Sequence, residues 1–144
     1  MKESKFTKLL RFKRWFKVKK IPIVPSFLDL FYRMLFSCDI PSSVVFGKGS
    51  KFAHHGLGCV IHPRAVIGSN CKLFQRVTIG SRNGEGPPIL GDNVYVGAGA
   101  CILGKITIGD NVKIGANSVV LKDIPDNCIV VGIPGKVVNI SKAN

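Results

Sequence analysis

His54 and His55 stand side by side and run into Gly56-Leu57-Gly58-Cys59. An imidazole titrates near pH 6.5, so a histidine held beside a hydroxyl can take its proton as the oxygen attacks an electrophile. A glycine-rich loop beside it offers backbone N–H groups that could steady an acyl-transfer oxyanion. A second stretch with chemical side chains is Ser81-Arg82-Asn83-Gly84-Glu85-Gly86-Pro87-Pro88, in which Arg82 and Glu85 are candidates for contacts to an acceptor. The five cysteines, Cys38, Cys59, Cys71, Cys101 and Cys128, have no CxxC spacing. They read as reduced packing residues, with neither a disulfide nor a metal expected.

Both stretches interrupt one rhythm. Ile61, Ile67, Leu73 and Ile79, then Leu90, Val96, Ile102, Ile108, Ile114 and Val120, recur every six residues. Small or aliphatic residues stand four places on, from Ala65 and Cys71 to Ser118 and Ile124, and glycine often follows the lead aliphatic. A period of six fits neither a helix nor a plain alternating strand. It fits a solenoid of short strands that are stable only when stacked on copies of themselves. Three strands make a triangular coil of about eighteen residues, with coils roughly 4.8 Å apart. The glycines, with Asp92-Asn93 and Asp110-Asn111, fall at corners that call for positive φ or for side-chain hydrogen bonds. Phe46 and Phe52 start the register early, and three extra residues then fall in the stretch containing His54 and His55. Ser81 to Pro88 adds five more. A regular solenoid breaks its rhythm where a loop is useful or harmless, so these two breaks are where chemistry is expected.

The chain has 144 residues and a net charge of +13. The sequence divides into 1–40, a basic arm with a short apolar helix, and 41–144, the repeat domain with a C-terminal cap over Ile129 to Val138 and a polar tail from Ser141 to Asn144. Lys2 to Lys20 interleaves Phe6, Leu9, Leu10, Phe12, Trp15 and Phe16 with lysine and arginine. That composition suits an anionic membrane surface and equally a self-packed basic arm. No motif for nucleic acid accompanies the charge. After Pro22 and Pro25, Ser26 is placed to cap a helix to about Ser37 that covers the open end of the solenoid or docks on lipid. With no cleavable leader pattern and no span long enough for a bilayer, a cytoplasmic protein is expected, peripheral at the inner face of the membrane.

The register, together with His55-Gly56-Leu57-Gly58-Cys59-Val60-Ile61, resembles the hexapeptide-repeat acyltransferases, most closely serine acetyltransferases and the O-acetyltransferases of bacterial surface polysaccharides. The resemblance covers about Ile40 to Ile140. It implies a mainly β fold, a left-handed parallel β-helix of about four coils behind a short helical segment. It implies a homotrimer with acetyl-CoA laid along the prism between protomers. His55 matches the family's catalytic base. Ala98 in Val96-Gly97-Ala98 and Ala116 in Ile114-Gly115-Ala116 match small residues that contact the pantetheine, and Lys122 matches a lysine near the CoA phosphates. His54 stands where serine acetyltransferases carry Asp, which makes it a substrate-binding candidate beside Arg82 and Glu85. Pro87 stands close to a second family histidine. The family's long helical N-terminal domain has no counterpart in the sequence as read. These departures favour a sugar hydroxyl of a cell-surface polysaccharide as acceptor, with serine as the alternative.

Two other functions compete. β-helical zinc hydratases use a distant histidine with a pair five apart, and His54, His55 and His62 do not provide that spacing. A non-catalytic scaffold would have no use for His55 and Lys122.

Overall fold

The computed structural model describes residues 5–140. The polar tail at 141–144 and the first four residues, Lys2 included, lie outside the described residues. Two helices, α1 (Lys5–Val18) and α2 (Val24–Phe36), precede fourteen short strands. Thirteen of these strands stack in parallel as three flat faces. The first face holds β1 (Val45–Phe46), β4 (Val66–Ile67), β7 (Ile89–Leu90) and β10 (Thr107–Ile108). The second holds β2 (Lys51–Phe52), β5 (Lys72–Leu73), β8 (Tyr95–Val96), β11 (Lys113–Ile114) and β13 (Cys128–Val131). The third holds β3 (Val60–Ile61), β6 (Thr78–Gly80), β9 (Cys101–Leu103) and β12 (Val119–Val120). The chain visits the faces in rotation, which is the triangular coil expected from the period. Each lead aliphatic pairs with the one a full turn away, as Ile79 does with Ile102 and Ile102 with Val120.

All ten lead aliphatics from Ile61 to Val120 are buried, at 2 % exposure or less. The residues four places on are buried too, except for the half-buried Ile106. Buried Ser118 keeps its hydroxyl satisfied by accepting from the Gly132 amide at 3.1 Å. At the corner between the first and second faces, asparagine does what was expected. Asn93 and Asn111 have positive φ, and each donates its side-chain amide to the asparagine of the next coil, Asn111 and Asn127. The glycines stand at the expected places for another reason. Gly68, Gly80, Gly91, Gly97, Gly109 and Gly115 do not have positive φ. A Cβ on Gly91 would lie 2.2 Å from Asp110 Oδ1 of the next coil, so it is stacking distance that excludes a side chain there.

The open end is covered mainly by α1, where α2 was expected. Phe6, Thr7, Leu10 and Lys13 share one side of α1 at helical spacing and are buried. Arg14 donates to the carbonyls of Ser43 at 2.7 Å and Val44 at 3.2 Å, and Arg11 donates to Gly47. These carbonyls belong to the first coil, which has no coil above to pair with. Helix α2 lies outside α1 and buries only Pro25 and Tyr32. It starts at Val24, with Pro25 in its first turn, so Ser26 is inside the helix and caps nothing. The other end closes through β14 (Lys136–Ile140), which returns antiparallel on β13.

Candidate active site

The three-residue insertion forms a tight turn, Ala53–Gly56, at the corner between the second and third faces. His54 (φ 49°) and His55 (φ 55°) are both left-handed, and Gly56 (φ 66°) follows. Such a conformation costs a residue with a side chain about 1–3 kcal/mol, and it persists only where the surroundings impose it. Here they do. The Leu57 amide donates to His54 O at 3.1 Å, Gly58 to Ser37 O at 3.0 Å and Cys59 to Gly56 O at 2.9 Å. A Cβ on Gly56 would meet Ile40 at 3.0 Å and the Phe6 ring at 3.2 Å, so only glycine lets the turn sit this close to α1. The amides of Leu57, Gly58 and Cys59 are thus taken up by the fold.

The turn leaves both imidazoles exposed but not loose. The His55 ring stacks on Phe36 from the end of α2, with centroids 5.7 Å apart and planes at 19°. Phe6 of α1 meets it edge-on at 5.9 Å. His54 faces Phe74 at 6.3 Å. Phe74 in turn carries Tyr95 at 5.2 Å and the Lys72 ammonium 4.6 Å above its ring. Sequence reasoning missed Phe6, Phe36 and Phe74. Only Phe74 had left a signal, because it follows Leu73 where the repeat usually carries glycine.

The donor candidates Ala98 and Ala116 occupy the same corner, on later coils. Hydrogen bonds join the coils along it. Arg76 N donates to Leu57 O at 2.8 Å, Gly99 N to Gln75 O at 3.0 Å and Asn117 N to Ala98 O at 2.8 Å. His55, Ala98 and Ala116 thus lie along one edge of the prism. Gln75 belongs to that edge as well, and its buried Oε1 has no hydrogen-bond partner.

The other candidates lie elsewhere. Arg82 and Glu85 are on the loop between the third and first faces, and Lys122 follows β12 at that same corner, all exposed. Glu85 lines a shallow groove of about 350 Å³ with Arg64, Pro87 and Lys105. His62 is also at this corner, where its Nδ1 accepts from the Arg64 amide at 3.2 Å. Lys122 is therefore not next to Ala98 and Ala116 within one protomer. Among the described residues, no three histidine, cysteine or acidic side chains are placed to hold a metal ion.

Comparisons with known proteins agree with this geometry. Residues 87–122 match the family described as bacterial transferase hexapeptide (six repeats). A serine acetyltransferase of Synechococcus elongatus is 44% identical over 131 residues, covering 89% of this chain and 53% of that protein. The crystal structure of Neisseria gonorrhoeae serine acetyltransferase superposes with a TM-score of 0.88 at 34% identity, covering 96% of this chain and 54% of the other. A serine acetyltransferase in complex with CoA gives a TM-score of 0.83 at 31% identity, covering 92% of this chain and 55% of the other. The chain thus spans about half the length of the relatives it matches. The likeness also sets the hand of the coil, a left-handed parallel β-helix. By repeat, coil and relatives, the chain is a serine acetyltransferase-like member of the hexapeptide-repeat transferases.

Proposed function

We propose that this protein transfers an acetyl group from acetyl-CoA to the hydroxyl of serine, with His55 as general base. The observation that carries the reading is the shared edge. An exposed imidazole, fixed by two aromatic rings, stands at one end of a corner whose later coils present the small residues Ala98 and Ala116. A flat donor needs such a bare strip of main chain, and its thioester must end beside the base. The likeness to a serine acetyltransferase bound to CoA supports the donor, and the names of the relatives support serine. Serine here replaces the sugar hydroxyl expected from the sequence, because the relatives described above are serine acetyltransferases.

The chemistry is a direct transfer. His55 takes the hydroxyl proton as the serine oxygen attacks the thioester carbonyl carbon. The tetrahedral intermediate collapses, the C–S bond breaks, and the CoA thiolate takes the proton back from the imidazolium. Holding both reactants in place supplies much of the acceleration.

We infer a homotrimer with sites at the protomer boundaries. In one protomer His55, Ala98 and Ala116 lie at one corner, and Arg82, Glu85 and Lys122 at another. Packing flat faces about a three-fold axis brings one kind of corner to the other kind on the neighbour. Lys122 then reaches a donor held by the next protomer, and Arg82 and Glu85 reach its acceptor.

The test is thiol release from acetyl-CoA by the purified chain, with serine and a panel of sugars as separate acceptors. Serine-dependent release that His55→Ala lowers by at least about a thousandfold is expected. Release only with sugars would overturn the acceptor, and an unaffected His55→Ala would overturn the base.

A further inference from the structure

The two-helix layer spends one side on the prism and leaves the other uncovered. Of the nineteen large hydrophobic side chains exposed among the described residues, ten lie between Leu9 and Leu35. Phe12 and Trp15 stand on α1 away from buried Phe6 and Leu10. Phe27, Phe31 and Met34 stand on α2 opposite buried Pro25 and Tyr32, with Phe27 64% and Met34 76% exposed. Large apolar side chains gathered on one exposed layer mark a contact surface.

The charge around the patch selects its partner. Lys5, Lys8, Lys17, Lys19 and Lys20 are all exposed on or just after α1. Among the described residues, the two carboxylates near the layer are already taken. Asp29 accepts from Lys13 at 2.7 Å and from Ser42, and Asp39 pairs with Arg33 at 2.8 Å. Where α1 ends and α2 begins, Lys17, Lys20 and Ser26 line a cleft of about 340 Å³. A second copy laid on this surface would set lysine against lysine. Aromatic and aliphatic side chains flanked by unneutralised lysines instead match an anionic lipid interface, with the rings at headgroup depth and the ammonium groups on phosphates. No helix among the described residues is long and apolar enough to cross a membrane, so the contact would be with the surface.

We propose that α1 and α2 dock the protein on anionic phospholipid through the side turned from the prism, with Lys17 and Lys20 holding a headgroup phosphate. The proposal does not depend on the acetyl-transfer reading, since it uses none of that site's residues.

Co-sedimentation of the whole protein tests it, with phosphatidylcholine vesicles and with vesicles also holding about 30 mol % phosphatidylglycerol. Binding to the anionic vesicles alone, weakened by added salt, is expected. Lys17→Glu with Lys20→Glu should weaken it by about tenfold or more, and Met34→Glu by a similar factor. These side chains are exposed, so an unchanged circular dichroism spectrum will show the variants to be folded. Equal binding to both vesicle types, no binding to either, or variants that partition like the parent would each overturn the proposal. So would a lipid-free oligomer, seen by light scattering, that Met34→Glu dissociates, because a second copy would then own the surface.

Discussion

The His55 imidazole lies stacked against Phe36, 5.7 Å between centroids and 19° between planes. Phe36 ends α2, and Phe6, which meets the imidazole edge-on and lies 5.2 Å from the Phe36 ring, stands in the first turn of α1. The helices therefore hold the proposed base as well as cover the first coil. Phe36→Ala should free the ring and lower kcat by about ten- to a hundredfold. The Ala98–Ala116 edge is untouched by the change, so KM for acetyl-CoA should stay within about twofold. Phe36→Tyr should restore kcat. A parallel loss of acetyl-CoA affinity would mean that the corner had collapsed and that Phe36 is merely structural.

Ala116 is exposed on the edge that His55 begins, and Ala98 is half-buried one coil earlier. If the donor lies on main chain there, bulk at Ala116 should block it. Ala116→Trp should raise the Kd for CoA by at least about tenfold in calorimetry, while leaving the melting temperature within about two degrees. Lys122→Ala should weaken CoA binding severalfold only in the trimer, because Lys122 lies at another corner of its own protomer. An Ala116→Trp protein with parental affinity would move the donor to a different edge.

The fold was legible because it obeys a period. Ile61, Leu73 and Val96 are readable as core without any knowledge of what covers them, since each coil repeats the same burial. Asn93 and Asn111 were legible for a similar reason: a corner repeated on the next coil makes a ladder. The glycine pattern was visible but its cause was not, since a repeat marks a position without saying whether φ or stacking excludes the side chain. That His55 shares an edge with Ala98 and Ala116 follows from the repeat once both insertions are placed. The helices were legible only as helices. No period relates Phe6 or Phe36 to His55, and nothing local says that Lys13, in a run of solvated cations, is the one to be buried.

Two glycines separate stacking from backbone conformation. Gly91 has an ordinary φ but no room, its Cβ position lying 2.2 Å from Asp110 Oδ1. Gly84, in the five-residue insertion, has open space around it and φ +76°. Gly91→Ala must push coils apart and should cost about 1–3 kcal/mol. Gly84→Ala meets only the left-handed penalty and should cost about 1–2 kcal/mol, less if the exposed loop relaxes. Urea melts of the two variants check the order. A cheaper Gly91→Ala would mean that the coils are not held at their stacking distance.

Cys59 follows the histidine turn and is fully buried, its thiol donating to Phe74 O at 3.2 Å. Burial pushes the thiol from its ordinary 9.0 up to about 11. The folded protein therefore holds this proton at a pH where the unfolded chain has lost it, and stability must fall as pH rises from about 9 to about 11. The loss is on the order of 2 kcal/mol across that window and absent below it. Cys59→Ala should flatten this part of the pH–stability curve relative to the parent. An identical slope in the variant would remove the thiol as its source.

Lys13 and Asp29 tie α1 to α2 and to the prism, and the two ends of this pair are not equivalent. Lys13 is 2% exposed, while the Asp29 side chain is 28% exposed. Without its ammonium partner, Asp29 still accepts from Ser42 N at 3.1 Å and Ser42 Oγ at 3.0 Å, and water reaches it. Without Asp29, the Lys13 ammonium keeps only the Ile40 carbonyl and the Tyr32 ring, 5.0 Å away, as an unpaired charge under the helices. Breaking a buried pair so that a charge is stranded costs about 3–5 kcal/mol, whereas replacing a charge with an apolar side chain of similar size costs much less. Asp29→Leu should therefore destabilise the protein by several kcal/mol more than Lys13→Met, and Lys13→Met should rescue Asp29→Leu in the double variant. Equal costs, or no rescue, would mean that the ammonium reaches water and that the pair is not what seats α1 over the first coil.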